Sequence, residues 1–192
     1  MKAFDSLPEG YEEIYSIDLQ KNKKIALFVN FLAVIIAVLL IVPMAFLVPV
    51  STLFDMQKGL GNYILRFVVL LVLMILYMVL HEFVHGVAMK ICGTKKIKYG
   101  FTGLYAFAGS NDYYDKSSYT FIALAPVVLW GFVLALINFF VSAEWFWIVY
   151  IIQIINLSGA AGDFFVTVKF SRLPKEILIK DHGVGMTVYA KE

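Results

Sequence analysis

Four long apolar stretches constrain this 192-residue chain more than any other feature. They lie at about residues 25–50, 63–92, 119–141 and 145–168, and only isolated polar residues interrupt them. Each exceeds the roughly 20 residues that a helix needs to cross a bilayer core about 30 Å thick. Because lipid offers the backbone no hydrogen-bond partners, a spanning segment of this kind must be helical. The sequence therefore predicts an all-α polytopic membrane protein with four transmembrane helices.

The composition excludes the usual soluble classes. Hydrophobic residues make up 61% of the chain and charged residues 16%, against roughly 45–50% and 25% in soluble domains. The formal net charge is only +2, which provides no strong field for a polyanion, so a lipid bilayer rather than nucleic acid is the expected environment. A single cysteine, Cys92, cannot form an internal disulfide. We therefore expect a multi-pass protein of the cell membrane.

The basic residues predict how the chain is oriented. Of the sixteen Lys and Arg residues, fourteen lie before the first helix, within residues 86–118 at the end of helix two and the connection that follows it, or in the tail. Only Lys58 and Arg66 lie towards the other side. Because basic residues accumulate on the cytoplasmic side, both termini are expected there. This divides the chain into a cytoplasmic N-terminal segment at 1–24, a membrane domain at 25–168 and a cytoplasmic tail at 169–192.

The connection between helices two and three has a different pattern. Within residues 93–118, glycines alternate with Ile, Phe and Tyr, which favours short strands with turns over a helix. We expect a small β-hairpin on the cytoplasmic side here. An extended peptide could pair with an edge of this hairpin, at residues 97–108, by strand addition.

The second apolar stretch carries three ionisable side chains, His81, Glu82 and His85. Such groups cost roughly 2.5–3.5 kcal/mol each on insertion scales, so their presence needs a functional reason. Residues four apart share a helical face, which lets both imidazoles reach one metal ion. The glutamate beside the first histidine can hold the attacking water, as in the His-Glu-x-x-His signature of metallopeptidases. A metal site explains this cluster better than a packed core does.

A third ligand is needed, because a catalytic zinc normally takes three protein ligands and leaves one position open. Asp163 is the only other carboxylate deep in an apolar stretch. His81 and Asp163 each lie 18 residues from the outer ends of their helices, at Tyr63 and Trp145. This corresponds to roughly 27 Å of helix for both. These equal depths predict that Asp163 binds the same metal ion as the histidines, in the cytoplasmic third of the membrane. The alternative is that Asp163 lies at the membrane interface and is solvated.

Three further polar or reactive residues have two interpretations each. Asn156 lies on one face of helix four with Asp163, beside a run of small residues at 158–162 that permits close helix packing. Asn156 could orient substrate or stabilise an oxyanion, but an interhelical hydrogen bond is the favoured interpretation. His182 is expected to be an exposed or capping residue of the tail, and Cys92 a packed or juxtamembrane thiol.

Four segments of the chain resemble the putative zincin peptidases, a family of small bacterial membrane proteins related in logic to the site-2 intramembrane metalloproteases. The matching segments are LPEGY at 7–11, HEFVHG at 81–86, ALAP at 123–126 and NLSGAAGD at 156–163. The resemblance implies a four-helix membrane protein that holds zinc through His81, His85 and Asp163. It also implies that Glu82 is the general base.

Together these features favour an intramembrane zinc metallopeptidase that hydrolyses peptide bonds of membrane-embedded or membrane-proximal substrates near the cytoplasmic side. The expected partners are a membrane-protein or peptide substrate and the lipid bilayer, with no nucleic acid and with the oligomeric state left open. The alternative is a non-proteolytic zinc-binding membrane protein that acts as a regulatory or transport partner. A purely structural helix bundle is a third class. Iron or manganese would also suit histidine and carboxylate donors.

Overall fold

A computed structural model describes residues 2–18, 21–103, 106–183 and 185–191. The chain forms two compact units, which are described here one at a time. The sheet unit comprises residues 1–29, 80–126 and 162–192. The helical unit comprises residues 30–79 and 127–161.

The four expected spans are confirmed as helices that are long and apolar enough to cross a membrane. The first three are α1 (Lys23–Leu47), α2 (Leu60–Ile91) and α3 (Lys116–Phe140). The fourth consists of α4 (Ala143–Gly159) and α5 (Ala161–Ser171). A short 3-10 helix at Val50–Phe54 lies between α1 and α2. None of the α1 side chains is buried, which suits a helix whose surroundings are lipid.

The fourth span is interrupted at Ala160, where the sequence predicted one continuous helix. Ala160 departs from helical geometry, with φ −81° and ψ 13°, and its N–H donates to the carbonyl of Ser158. The surrounding glycines weaken the helix here, because glycine is among the poorest helix formers. As a result Asp163 lies in the first turn of α5. Free backbone N–H groups and the helix dipole both favour a carboxylate at that position.

The structure is mixed rather than all-α, so the all-α prediction was wrong. Five strands form an antiparallel sheet in the order β1-β5-β6-β7-β2. Their bounds are β1 Ala3–Phe4, β2 Tyr11–Asp18, β5 Tyr113–Asp115, β6 Ile177–Asp181 and β7 Gly185–Lys191. Strand β2 from the N-terminal segment pairs with β7 from the tail, with Ile17 opposite Met186. Both flanking segments are therefore parts of one sheet rather than separate extensions.

The expected hairpin between helices two and three is confirmed. Strand β3 (Lys98–Phe101) pairs antiparallel with β4 (Ala106–Gly109) as a two-stranded sheet. In this register Tyr99 lies opposite Ala108. Leu104 and Tyr105, which belong to the expected hairpin, lie outside the described residues.

Each unit has its own hydrophobic core. In the sheet unit, Tyr114, Ile179 and Val188 of the strands are completely buried, and Met89 of α2 and Phe170 of α5 belong to the same cluster. In the helical unit, a second cluster is built from buried residues of the helices: Leu53, Leu70, Tyr77, Leu134, Trp147, Ile148, Tyr150, Ile152 and Ile154. The sheet-unit core packs the inner part of α2 against the strands, and this fixes the segment that carries the histidines.

Candidate metal centre

Helix α2 places His81 and His85 one turn apart on the same face. Their ring centroids lie 4.8 Å apart, and both side chains are buried. The segment is helical because a long, mostly apolar run without proline continues through it from Leu60 to Ile91. Two imidazoles are thereby fixed side by side in an apolar part of the sheet unit.

Asp163 of α5 faces both histidines. Its Oδ2 lies 3.8 Å from the Nε2 of His81, and its Oδ1 lies 3.8 Å from the Nε2 of His85. Both distances exceed the roughly 3.2 Å of an ordinary N–H···O hydrogen bond. One ligand atom from each of the three residues lies within 4.8 Å of the other two. The structure therefore brings together the three residues that the sequence predicted as metal ligands.

The donor set fits a divalent metal such as zinc. Ligand atoms at 2.0–2.2 Å from a tetrahedral zinc stand roughly 3.3–3.6 Å apart. The 3.8 Å separations, which involve different oxygens of Asp163, are slightly longer, and the three ligand atoms together lie within 4.8 Å of one another. Two imidazoles and one carboxylate form a donor set that catalytic zinc sites use, and this set leaves a fourth position open. His81, His85 and Asp163 together could therefore hold the ion.

A backbone carbonyl of α3 fixes the tautomer of His85. The Nδ1 of His85 lies 2.9 Å from the carbonyl oxygen of Ile122. Since a carbonyl can only accept, Nδ1 carries the proton and the lone pair remains on Nε2, which faces Asp163. Such a partner on the second nitrogen typically orients a metal-binding histidine.

This carbonyl is available because of a proline in α3. Pro126 follows Ile122 by four residues, inside the helix. Proline has no N–H, so it cannot make the i to i−4 hydrogen bond to the Ile122 carbonyl. The histidine of α2 takes the place of the missing donor. The proline of the Ala-Leu-Ala-Pro segment at 123–126 thus contributes to the site by leaving the Ile122 carbonyl free to accept from His85.

Glu82 lies beside the three candidate ligands and is half-buried. Its carboxylate accepts a hydrogen bond from the backbone N–H of Ala108 in β4. It also lies within electrostatic reach of His85 and Asp163. The hairpin strand thus holds a carboxylate next to the cluster, which is where a general base is required.

Sequence reasoning missed Asp181, at the end of β6. Its carboxylate accepts hydrogen bonds from the Tyr119 hydroxyl at 3.1 Å and from the Gly183 N–H at 2.7 Å. Burial raises the pKa of Asp181, and the charge of His85 acts on it in the opposite direction. The sequence Asp-His-Gly at 181–183 is typical of a turn and could have predicted one there. Nothing in the neighbouring sequence indicates that this turn lies near the histidines of α2.

Asn156, His182 and Cys92 each have surroundings of their own. Asn156 belongs to the helical unit, where its Oδ1 accepts from the Tyr77 hydroxyl at 2.8 Å and its Nδ2 donates to the Val127 carbonyl at 3.3 Å. These contacts support the interhelical interpretation, and a role towards substrate stays a prediction. His182 is exposed in the turn between β6 and β7, and Cys92 is buried, both as expected.

A glutamate beside two buried histidines and a half-buried aspartate is consistent with a zincin site of the His-Glu-x-x-His type. Residues 74–178 match the family described as "Putative zincin peptidase" (DUF3267), and the chain belongs to this family. The matched range contains all four residues of the cluster.

One curated relative also matches part of the chain. It is the "Uncharacterized 24.7 kDa protein in gap 5'region" of Pyrococcus woesei, which is 28% identical over 123 residues. The match covers 59% of this chain and 51% of that protein, so it spans about half the length of the relative. No solved structure matches the chain.

Proposed function

We propose that this protein is an intramembrane zinc metallopeptidase whose site follows the logic of the site-2 proteases. One observation carries the proposal: two imidazoles and a carboxylate have ligand atoms within 4.8 Å of one another, and Glu82 lies beside them. Family membership supports peptide hydrolysis as the chemistry. A purely structural bundle would have no reason to concentrate these groups in apolar helices, where each is costly.

His81, His85 and Asp163 would hold the ion, and Glu82 would remain free of it as the general base. Zinc bound there would supply a Lewis acid that polarises the scissile carbonyl and acidifies water. The hydrogen bond from His85 Nδ1 to Ile122 keeps the Nε2 lone pair directed at the site. Asp163 would complete the set from the first turn of α5.

Glu82 would carry the proton through the reaction. One of its carboxylate oxygens accepts a proton from the attacking water, whose oxygen bonds to the scissile carbonyl carbon. The same oxygen then returns this proton to the amide nitrogen as the carbon–nitrogen bond breaks. The Ala108 N–H orients the carboxylate during both transfers.

The substrate we propose is a membrane-embedded or membrane-proximal peptide. The candidate ligands lie in segments that are apolar enough to span a membrane. The distribution of Lys and Arg supports a cytoplasmic location for both termini and for the side on which cleavage occurs. An extended peptide would pair with an edge of the β3–β4 hairpin, where Tyr99 and Phe101 expose apolar surface.

The test compares membrane-protein fragments, measured by mass spectrometry, in cells that carry the wild type or Glu82→Gln. The matched control is Glu176→Gln, which changes an exposed glutamate just before β6. We expect both variants to retain zinc, and fragments to disappear only with Glu82→Gln. Normal cleavage by Glu82→Gln would overturn the mechanism. Wild-type protein that binds zinc stoichiometrically and yields no fragments would favour the non-proteolytic alternative.

A further inference from the structure

Tyr99 of β3 reaches the helix that carries the histidines. A Cβ built on Gly86 would lie 1.8 Å from the Tyr99 Oη and 2.6 Å from its Cζ. The hydroxyl therefore occupies the space that any other residue at position 86 would fill, and glycine permits this approach. Gly86 directly follows His85 and lies four residues after Glu82, on the same face of α2. The Tyr99 hydroxyl is thus placed on the helix face of the proposed general base.

One cross-strand residue pair of the hairpin, Tyr99 and Ala108, contributes two groups to this face of α2. Tyr99 lies opposite Ala108, whose backbone N–H donates to the Glu82 carboxylate. A tyrosine hydroxyl is already protonated at neutral pH, and burial and the charge of Glu82 both raise the pKa of Tyr99 further. This residue pair therefore offers two hydrogen-bond donors on the Glu82 face of α2: the Ala108 backbone N–H and the Tyr99 hydroxyl.

The C-terminal turn between β6 and β7 holds the hairpin in place. The ring of Phe107 lies 2.5 Å from a Cβ built on Gly100 and 2.1 Å from one built on Gly183. Both glycines are therefore needed for the ring to fit between them. The N–H of Ser110, next to β4, also donates to the Asp181 carbonyl at 2.9 Å. Such support is what a side chain needs if it is to act at a fixed distance from a reacting group.

We propose that Tyr99 is a catalytic residue whose hydroxyl donates a hydrogen bond to the scissile carbonyl oxygen as negative charge develops there. This inference rests on the proposed peptidase function. Tyr99 keeps its proton throughout, so the bonds made and broken remain those of hydrolysis. Donors aimed at a developing oxyanion act mainly in the transition state, so their loss lowers kcat more than it raises KM.

The experiment compares wild type with Tyr99→Phe, which keeps the ring and removes only the hydroxyl. The control is Tyr189→Phe, which removes a hydroxyl from β7, where the ring packs against Tyr113. Two readouts are taken on zinc-loaded protein in detergent: the Kd of a dileucine phosphonamidate, which mimics the tetrahedral transition state, and kcat and KM on a substrate found by fragment analysis. Zinc content per chain reports whether each variant is folded.

We expect Tyr99→Phe to bind zinc normally, to bind the phosphonamidate about 10- to 100-fold more weakly, and to lose about 100-fold in kcat at similar KM. Tyr189→Phe should match the wild type in all of these. If Tyr99→Phe also matches the wild type, the role of Tyr99 is only packing against Gly86, and this inference fails while the peptidase function stands. If the wild type itself neither cleaves nor binds the phosphonamidate, the proposed function fails and this inference fails with it.

Discussion

The helical unit and the sheet unit both bury polar side chains, but they use them differently. In the helical unit, the buried Arg66 donates to the carbonyls of Thr52, Asp55 and Glu144. In the sheet unit, the Asp163 carboxylate lies 3.8 Å from a ring nitrogen of each of two histidines. The first arrangement pairs both terminal nitrogens of the guanidinium with backbone carbonyls inside the protein, as buried polar groups usually are. The second holds donor atoms at a separation suited to an ion between them.

This contrast separates structural from functional polar groups. Arg66 is an anchor for the loop between α1 and α2 and for the start of α4, because its donors join backbone from both. The histidines instead direct their Nε2 atoms at a shared point. Substitutions in the helical unit should therefore change stability and leave metal binding intact, whereas substitutions around the histidines should do the reverse.

The largest effect is expected from Asp163→Ala. Loss of a ligand should lower zinc affinity by more than about 100-fold, since outer partners of ligands alone are worth roughly 10–100-fold. The measurement is a zinc titration of the purified protein against a competing chelator. Asp5→Ala is the control, because Asp5 is a carboxylate in an exposed ion pair with Lys95. Unchanged zinc affinity in Asp163→Ala would remove it from the ligand set.

Arg66→Met should have the opposite effect, lowering the stability of the protein without changing its zinc affinity. The substitution removes the Arg66 donors from three partly buried carbonyls, which costs at most roughly 1–3 kcal/mol each before relaxation and water entry. We expect the free energy of unfolding to fall by about 2 kcal/mol, with zinc affinity unchanged. Reversible denaturation in detergent, alongside the same zinc titration, measures both quantities. A large loss of zinc affinity here would contradict the division between the two units.

Pro126→Ala tests, within the sheet unit, whether the hydrogen bond between His85 and the Ile122 carbonyl supports metal binding. The new N–H at position 126 can donate to the Ile122 carbonyl and compete with His85 for it. We expect zinc affinity to fall by about 10-fold, at the low end for an outer partner of a ligand. Pro43→Ala in α1 is the matched control, since it also introduces an N–H into a helix. Equal effects from both substitutions would show that helix geometry, and not the histidine, is responsible.

The smallest effect is expected from Tyr77→Phe in the helical unit. The change removes the hydroxyl that donates to Asn156 Oδ1 at 2.8 Å. Hydrogen bonds between membrane helices are worth about 0.6 kcal/mol on average, so the unfolding free energy should fall by about that amount. Zinc affinity and cleavage should remain at wild-type levels. A loss of cleavage with zinc retained would instead give Asn156 and its partner a role towards substrate.

The parts of this account that the sequence predicted depend on local patterns. The four spans follow from runs of apolar residues, and the shared face of His81 and His85 follows from their four-residue spacing. Asp163 was predicted from its depth alone, because it is the only other carboxylate far inside an apolar stretch. Each inference needs only the geometry of one helix or the thickness of a membrane.

The parts that the sequence did not predict depend on contacts between distant segments. Strand β2 pairs with β7, so Tyr11 lies opposite Lys191. A local sequence pattern cannot predict which distant strand a given strand pairs with. The break at Ala160 and the position of the Tyr99 hydroxyl over Gly86 likewise depend on the assembled fold. A glycine directly after a candidate ligand was visible, but the side chain that requires it was not.

The central claim is that His81, His85 and Asp163 bind one zinc ion. X-ray absorption spectroscopy at the zinc edge, with the zinc content per chain measured on the same purified sample, tests this claim most directly. The account predicts one zinc per chain, surrounded by nitrogen and oxygen at about 2.0–2.2 Å with the scattering signature of two imidazoles. A chain without stoichiometric zinc, or a zinc with a sulfur ligand at about 2.3 Å from Cys92, would contradict it.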